Sequence, residues 1–289
     1  MITFPNAKIN LGLRVTGKRS DGFHNLETVF YPVGMSDVLE IISLPEPKKN
    51  GSSKVSFSSS GIEIPGETNL CEKAAYLLAE SISISPAGKK NLKNKIDRLQ
   101  IHLHKMIPVG AGLGGGSSDG AFTLSMVNQL LELGLSKNKL IRIASELGSD
   151  CPFFLENKPV FATGRGTDFS PLSLSLENYF ILLVIPEIHI STAWAFSQIV
   201  PEKPDKNLND LIRLPVKKWK NEIINDFEIP VFKKFPELKG IKDKLYAMGA
   251  AYCSMSGSGS AFYGIFEKQV RIENQFKGCM VRMETKEQN

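Results

Sequence analysis

From Pro108 to Asp119 the chain reads Pro-Val-Gly-Ala-Gly-Leu-Gly-Gly-Gly-Ser-Ser-Asp, with five glycines in the seven positions 110–116. A backbone without Cβ atoms adopts positive φ readily and can approach a ligand closely. The flanking residues show what it joins. Leu99 to His104 alternates apolar and polar residues, the pattern of a strand. Ala121, Leu124, Val127, Leu130 and Leu131 then recur at helical spacing, and Gly134 stands where a helix would stop. Strand, glycine loop and helix N-terminus together favour an anion, because free N–H groups and the positive end of the helix dipole converge on it. A nucleotide-phosphate site is expected.

Two common forms of such a site can be weighed on the same residues. No Gly-Lys-Ser or Gly-Lys-Thr occurs in the chain, which excludes a Walker A loop. Gly110-x-Gly112-x-x-Gly115 matches the dinucleotide fingerprint, and Glu132 falls near the distance of a ribose-binding acid. A nicotinamide-dependent oxidoreductase is therefore the rival from another class. Against it, a run of antiparallel-looking strands precedes the motif, and Glu132 falls within the helix where it should follow a second strand.

A chain of 289 residues suffices for one large domain or two ordinary ones. The net charge of +5 is spread over many segments, so the expectation is a local positive site for an anionic substrate and no nucleic-acid partner. Cys71, Cys151, Cys253 and Cys279 are far apart and form no C-x-x-C pair, which argues against structural zinc and a disulfide framework. The N-terminus has no basic region followed by an apolar run. The longest apolar run, Tyr179 to Pro186, is too short to span a bilayer. A cytoplasmic protein with no membrane partner is expected, as a monomer or weak homodimer.

In chain order, Thr3 to Val15 reads as a strand with Asn6, Lys8 and Asn10 on one face. Residues 17–22 form a turn, and Phe23–Val33, Asp37–Leu44 and Lys54–Ile64 read as further strands, the last two split by a loop at 45–53. Thr68 or Asn69 caps a helix with Leu70, Ala74, Leu77, Leu78 and Ile82 on its apolar face, and a loop at 85–95 follows. Ser136 caps another helix, with Leu140, Ile143, Ala144 and Leu147 inward and Gly148 as terminator; Asp150 stands just beyond. Residues 156–178 read as irregular and place a domain boundary near Glu156 to Asp168. Tyr179–Pro186 is a buried strand. Short helices are expected at 192–200, 208–213 and 217–226, then a longer one ending near Met248. Ala250–Met255 and Ser260–Phe266 read as strands around Ser256-Gly257-Ser258-Gly259. Without strict β-α alternation the class is α+β.

Four of these stretches resemble, in order, the motifs of the GHMP kinases (galactokinase, homoserine, mevalonate and phosphomevalonate kinases). The glycine loop resembles that family's ATP loop. Ala7-Lys8-Ile9-Asn10-Leu11 with Gly17-x-Arg19-x-Asp21-Gly22-Phe23-His24-x-Leu26-x-Thr28 resembles the N-terminal signature of its branch in the non-mevalonate isoprenoid pathway. Leu147-Gly148-Ser149-Asp150-Cys151-Pro152-Phe153-Phe154 is similar to that branch's aspartate segment, and Ser256–Gly259 looks like the family's third motif. The matches run from residue 6 to about 263. The chain departs from the pattern at Gly120, where alanine is usual, at Phe23, where tyrosine is common, and in an enlarged loop at 85–95.

The resemblance implies a two-lobed GHMP kinase fold with ATP and substrate in the cleft between lobes. Residues 1–160 would form an N-terminal ATP-binding and catalytic lobe with a left-handed β-α-β unit, and 161–289 a C-terminal lobe resembling a ferredoxin-like sandwich. The implied reaction moves the γ-phosphoryl of ATP, with Mg²⁺, to the 2-hydroxyl of a cytidine-diphosphate-linked methylerythritol. Asp150 would be the base, ionised at neutral pH since an ordinary Asp has a pKa of about 3.9. Lys8 would keep it charged and orient the acceptor oxygen. Pro108, Val109, Gly110, Ala111, Gly112, Leu113, Gly114, Gly115, Gly116, Ser117 and Ser118 would hold the phosphates. Ser117 or Ser118 would add a hydroxyl to phosphate or Mg²⁺, with the choice open. Asn69 and Lys105 are candidates near the nucleoside of ATP. Phe23 would stack on the cytosine, His24 would hydrogen-bond its edge, Phe196 would close the other face, and Asn10 would contact the sugar or diphosphate. Homoserine or mevalonate kinase activity is the alternative within the family, though those substrates carry no base to stack on. A non-catalytic nucleotide or RNA binder would be expected to lack Lys8 or Asp150. His102 and His104 have no carboxylate or cysteine at ligand spacing and are read as structural, and Lys217-Lys218-Trp219-Lys220 as the wet face of a helix.

Overall fold

The computed structural model describes residues 1–45, 55–66, 69–81, 92–272 and 275–284. Thr68 and Ile82, with most of the loops at 45–53 and 85–95, lie outside the described residues. The strands are β1 (Ile2–Thr3), β2 (Asn6–Lys18), β3 (His24–Ser36), β4 (Val38–Ser43), β5 (Ser56–Gly61), β6 (Leu99–Lys105), β7 (Val160–Thr163), β8 (Asp168–Pro171), β9 (Phe180–Pro186), β10 (Tyr252–Met255), β11 (Phe262–Phe266) and β12 (Cys279–Glu284). The helices include α1 (Leu70–Ser81), α2 (Gly115–Leu130), α3 (Lys137–Leu147), α4 (Cys151–Glu156), α5 (Thr192–Ser197), α6 (Leu208–Leu211), α7 (Val216–Trp219), α8 (Glu228–Lys234) and α9 (Pro236–Ala247). Helices and sheets are mixed throughout, as the α+β expectation requires.

Packing groups the chain into two compact units that interleave in sequence. The first comprises Met1–Ala7, Met35–Val109 and Gly115–Asn157, and the second Lys8–Gly34, Gly110–Gly114 and Lys158–Asn289.

The first unit holds a sheet in the order β1-β4-β6-β5, antiparallel except for the parallel β5/β6 pair. A parallel pair needs a crossover, and α1 lies in that connection. Leu39 and Ile41 of β4 and Leu99, Ile101 and Leu103 of β6 are the buried apolar residues of the two strands. Helices α1 to α4 pack on one another. Asn69 caps α1 reciprocally: its side-chain oxygen accepts from the Glu72 amide at 3.0 Å while its Nδ2 donates to Glu72 Oε2 at 2.8 Å. Ser136 caps α3, and Leu140, Ile143, Ala144 and Leu147 are its buried residues, as their spacing predicts. Helix α2 stops at Leu130, so Glu132 lies past its end at φ +52° and not within it.

The second unit contains the sheet β2-β3-β7-β8, apart from the first residues of β2 and the last of β3, and the antiparallel sheet β10-β11-β9-β12. Its core gathers Leu182 and Val184 of β9, Phe262 and Phe266 of β11, and Leu238 and Leu245 of α9. Two expectations are corrected in this unit, and one strand is added. Residues 156–178 are not irregular throughout, since β7 and β8 form a hairpin there; four-residue strands are too short to show alternation. The helix expected at 217–226 ends at Trp219, because the following chain runs beside β2, with Leu13 donating to the Ile224 carbonyl and accepting from the Asp226 amide, both at 2.9 Å. Strand β12, paired along β9, was not expected; it is an edge strand with mixed burial.

Candidate active site

In the second unit, β2 alternates as expected and brings Lys8 and Asn10 into one buried polar network, 4% and 2% exposed. Lys8 Nζ donates to Asn10 Oδ1 at 2.5 Å and lies 4.8 Å over the Phe30 ring. Asn10 Nδ2 donates to Thr28 Oγ1 at 2.9 Å, and that hydroxyl donates onward to the Gly12 carbonyl at 2.6 Å. The main chain of β2 also meets the glycine loop directly, the Lys8 amide donating to the Leu113 carbonyl at 2.9 Å.

The two small-residue loops of the sequence pack together here. Ser256 Oγ donates to the Gly112 carbonyl at 2.8 Å and accepts from the Asn10 amide at 3.2 Å, and the Ala261 amide donates to the Ala111 carbonyl at 3.0 Å. Gly112 has φ +81°, and a Cβ there would collide with the Ser256 carbonyl oxygen. Glycine at 112 is thus needed for loop-to-loop approach. Gly110 and Gly114 also take positive φ, +74° and +72°. Such turns direct successive amides into a concave nest suited to anions.

In the first unit, β6 delivers Lys105 and α2 begins at Gly115, the strand–loop–helix order expected. Lys105 does not present an open cation. Its Nζ donates to Asp37 Oδ2 at 2.5 Å and Asp119 Oδ2 at 2.7 Å, and all three side chains are buried. Burial pushes the Asp119 carboxyl up to about 7; Lys105 pulls it down and Asp37 pushes it further up. The Ser118 hydroxyl and Asp119 Oδ1 are buried and find no hydrogen-bond partner among the described residues. Burial pushes the Cys151 thiol up to about 12, with the Ser117 hydroxyl pulling the other way. Asp150 stands at the N-terminal end of α4, yet its side chain does not cap that helix.

The aromatic candidates separate into two contacts within the second unit. His24 stacks on Phe196 with centroids 5.1 Å apart and planes at 19°, and Phe196 meets the buried Phe227 edge-on at 4.9 Å. Phe23 is 49% exposed, with the Arg165 guanidinium 3.5 Å over its ring.

Residues 69–158 match the GHMP kinases N terminal domain and residues 209–279 the GHMP kinases C terminal. A Parabacteroides distasonis protein named 4-diphosphocytidyl-2-C-methyl-D-erythritol kinase is 46% identical over 285 residues, 97% of this chain and 98% of that one. The chain belongs to the GHMP kinase family. A Bacteroides fragilis protein of the same name is 49% identical over 94% of both chains. Among solved structures, a 4-(cytidine 5'-diphospho)-2C-methyl-D-erythritol kinase aligns at 33% identity and TM-score 0.75, covering 92% of this chain and 90% of that one. The Methanococcus jannaschii mevalonate kinase shares the fold at 13% identity and TM-score 0.65, over 99% of this chain and 98% of that one.

Sequence reasoning missed residues that shape this GHMP kinase's loops. Asn225 donates through Nδ2 to the Met255 and Gly257 carbonyls, both at 2.8 Å, and accepts from the Phe227 amide at 3.0 Å, so it fixes the Ser256–Gly259 loop. A lone Asn in a stretch read as helix carries no signal of that. Asp37 stands in the sequence only as the start of an expected strand. Thr28 lies inside the N-terminal signature, where alternation with Leu26 on β3 could have drawn attention to it.

Proposed function

We propose that this GHMP kinase transfers the γ-phosphoryl group of ATP to the 2-hydroxyl of 4-diphosphocytidyl-2-C-methyl-D-erythritol. The observation that carries the reading is 46–49% identity over almost the whole chain to proteins of that name. The glycine ribbon supports it, because phosphoryl transfer asks mainly for positioning and charge stabilisation. In this reading Pro108 to Ser118 hold the phosphates through their amides, with Asn69 and Lys105 on the nucleoside side, Lys105 through the backbone it anchors. Asp150 accepts the proton of the acceptor hydroxyl, and Lys8 orients the oxygen, held in place by Asn10. Phe23 offers its exposed ring to the cytosine, while His24 and Phe196 offer a stacked pair; Asn10 faces the polyol or diphosphate. Residues 1–160 serve as the ATP-binding and catalytic lobe and 161–289 as the C-terminal lobe.

Mg²⁺ is the metal this chemistry requires. Among the described residues no group of three or more His, Cys, Asp or Glu is placed to hold a metal. That fits Mg²⁺, which keeps several waters and binds chiefly through nucleotide phosphates. Ser117 or Ser118 would supply a hydroxyl to it, and the buried Ser118 hydroxyl has no partner among the described residues. When bound, the ion neutralises charge on the phosphates.

Among the described residues no helix is long and apolar enough to cross a membrane. A cytoplasmic monomer or weak homodimer without nucleic acid is the proposed state, which light scattering and fractionation would check. The deciding experiment is coupled ADP release with the cytidine-diphosphate acceptor, homoserine and mevalonate. Turnover is expected with the first alone. Asp150→Asn and Lys8→Ala should each lose about 100-fold or more in kcat while ATP still binds, the usual scale for removing a proton-transfer group. Turnover on homoserine or mevalonate, with none on the cytidine compound, would overturn the assignment.

A further inference from the structure

The glycine loop is bracketed by an ionic cluster that neither motif matching nor residue spacing points to. Lys105 precedes the loop, Asp119 is the fifth residue of the helix after it, and the ammonium of the first donates to the carboxylate of the second at 2.7 Å. The same ammonium donates to Asp37 Oδ2. Asp37 Oδ1 in turn accepts from the Met106 and Ile107 amides at 2.6 and 2.8 Å, the two residues that lead into Pro108. Exposures are 0% for Asp37, 2% for Lys105 and 3% for Asp119.

Such a cluster is a poor source of stability. Desolvating an ammonium and two carboxyl groups is costly, and well-packed apolar side chains of the same volume often hold a core as well or better. What apolar packing cannot do is bind particular backbone atoms at fixed distances. Here the ammonium ties one carboxylate that grips the main chain entering the loop to another in the first turns of the helix leaving it. Gly115 belongs to the same device: a Cβ there would come within 2.9 Å of both Lys105 Nζ and Ile107 Cγ2. Glycine at 115 makes room for the clamp, whereas glycine at 112 makes room for the Ser256 loop.

We propose that Asp37, Lys105 and Asp119 form a clamp that sets the spacing of the glycine loop's two ends, making Asp37 and Asp119 positioning residues for nucleotide phosphates. The inference rests on the reading that Pro108 to Ser118 hold those phosphates. A glycine-rich segment loses much conformational freedom when it orders on a ligand, and ends fixed in advance reduce that loss. The clamp therefore acts on nucleotide affinity and leaves the acceptor alone.

The test is calorimetric binding of ADP with Mg²⁺ to the folded protein, with steady-state kinetics alongside. Asp119→Ala should raise the ADP Kd and the ATP KM about tenfold, while kcat and the acceptor KM stay within about threefold. Asp119→Asn, whose amide oxygen still accepts from Lys105, should return the ADP Kd to within about threefold of the parent. If Asp119→Ala does not fold, Asp37→Asn carries the same expectation, because its NH₂ would face the ammonium or the two amides. A variant with lowered Tm but unchanged ADP Kd would show a merely structural cluster and overturn the proposal. A parent protein that binds no ADP would overturn the phosphate reading itself. Normal ADP binding in all variants would overturn only the clamp.

Discussion

Each compact unit holds its share of loop main chain with a buried polar network, and the two networks differ in what does most of the holding. In the first unit the holders are ions, Lys105 between Asp37 and Asp119. In the second most of the direct holders are neutral, Asn225 on the Met255 and Gly257 carbonyls, Ser256 on Gly112 and Asn10 on Thr28, with Lys8 behind Asn10 and Glu228 on the Met255 amide as its charged members. A neutral network is satisfied bond by bond, each bond contributing about 1 kcal/mol net. An ionic one is close to all-or-none, since removing one member leaves uncompensated buried charge. The loop that carries the phosphate expectation is thus anchored by two designs that fail differently.

The sharpest way to expose the difference is to remove the central member of each. Lys105→Met should cost about 3–5 kcal/mol in urea unfolding, because two carboxylates are left buried together. Asn225→Ala strands two carbonyls and one amide, and should cost about 2–3 kcal/mol. A Lys105→Met variant less perturbed than Asn225→Ala would break the comparison, placing the ions in a wetter environment than their burial implies.

Glycine substitutions test where the neutral network meets the loop. Gly112→Ala places a methyl on the Ser256 carbonyl at a φ that L-residues rarely adopt, and should cost about 2 kcal/mol. At Gly116 a Cβ would find, among the described residues, only Leu70 Cδ1 at 3.8 Å, in a helix, so Gly116→Ala should be neutral or stabilise by up to about 1 kcal/mol. Equal effects at both positions would mean that the two small-residue loops part at little cost.

How far the sequence disclosed these networks depends on the reach of the bonds involved. The glycine run, the Ser136 cap and the buried face of α3 are local patterns, each complete within a dozen residues, and the structure holds them where spacing put them. Lys8 and Asn10 share a buried network because strand alternation is likewise local. Asp37 could not be read that way: its partner Lys105 is 68 residues distant, and a lone aspartate before a strand looks like a turn. Asn225 was hidden for a related reason, since Ile223 and Ile224 imitate a helical face while the Ile224 carbonyl already accepts from the Leu13 amide. Lys105 was legible as a residue of interest next to the loop, but its two carboxylate partners were not. Motifs locate the ligand side of a loop; the packing that holds the loop from behind leaves almost no local trace.

The smallest effect separates the networks most cleanly, because the first holds a carboxyl pushed up toward neutral pH. Burial and Asp37 push the Asp119 carboxyl up to about 7 against the pull of Lys105, whereas an unfolded Asp releases its proton near pH 3.9. The folded protein therefore keeps a proton that the unfolded chain has already lost between those values. That contribution to stability is present in acid and lost as pH rises to about 7. Asp119→Asn has no proton to lose, so between pH 5 and 7 the nucleotide-free parent should lose about 1–2 kcal/mol relative to it in paired urea curves. Asn225→Ala should keep the parent's slope, because amides and hydroxyls do not ionise in this range. A difference between parent and Asp119→Asn that stays flat from pH 5 to 8 would mean that Lys105 holds Asp119 ionised in the folded state. The ionic network would then differ from the neutral one in strength alone.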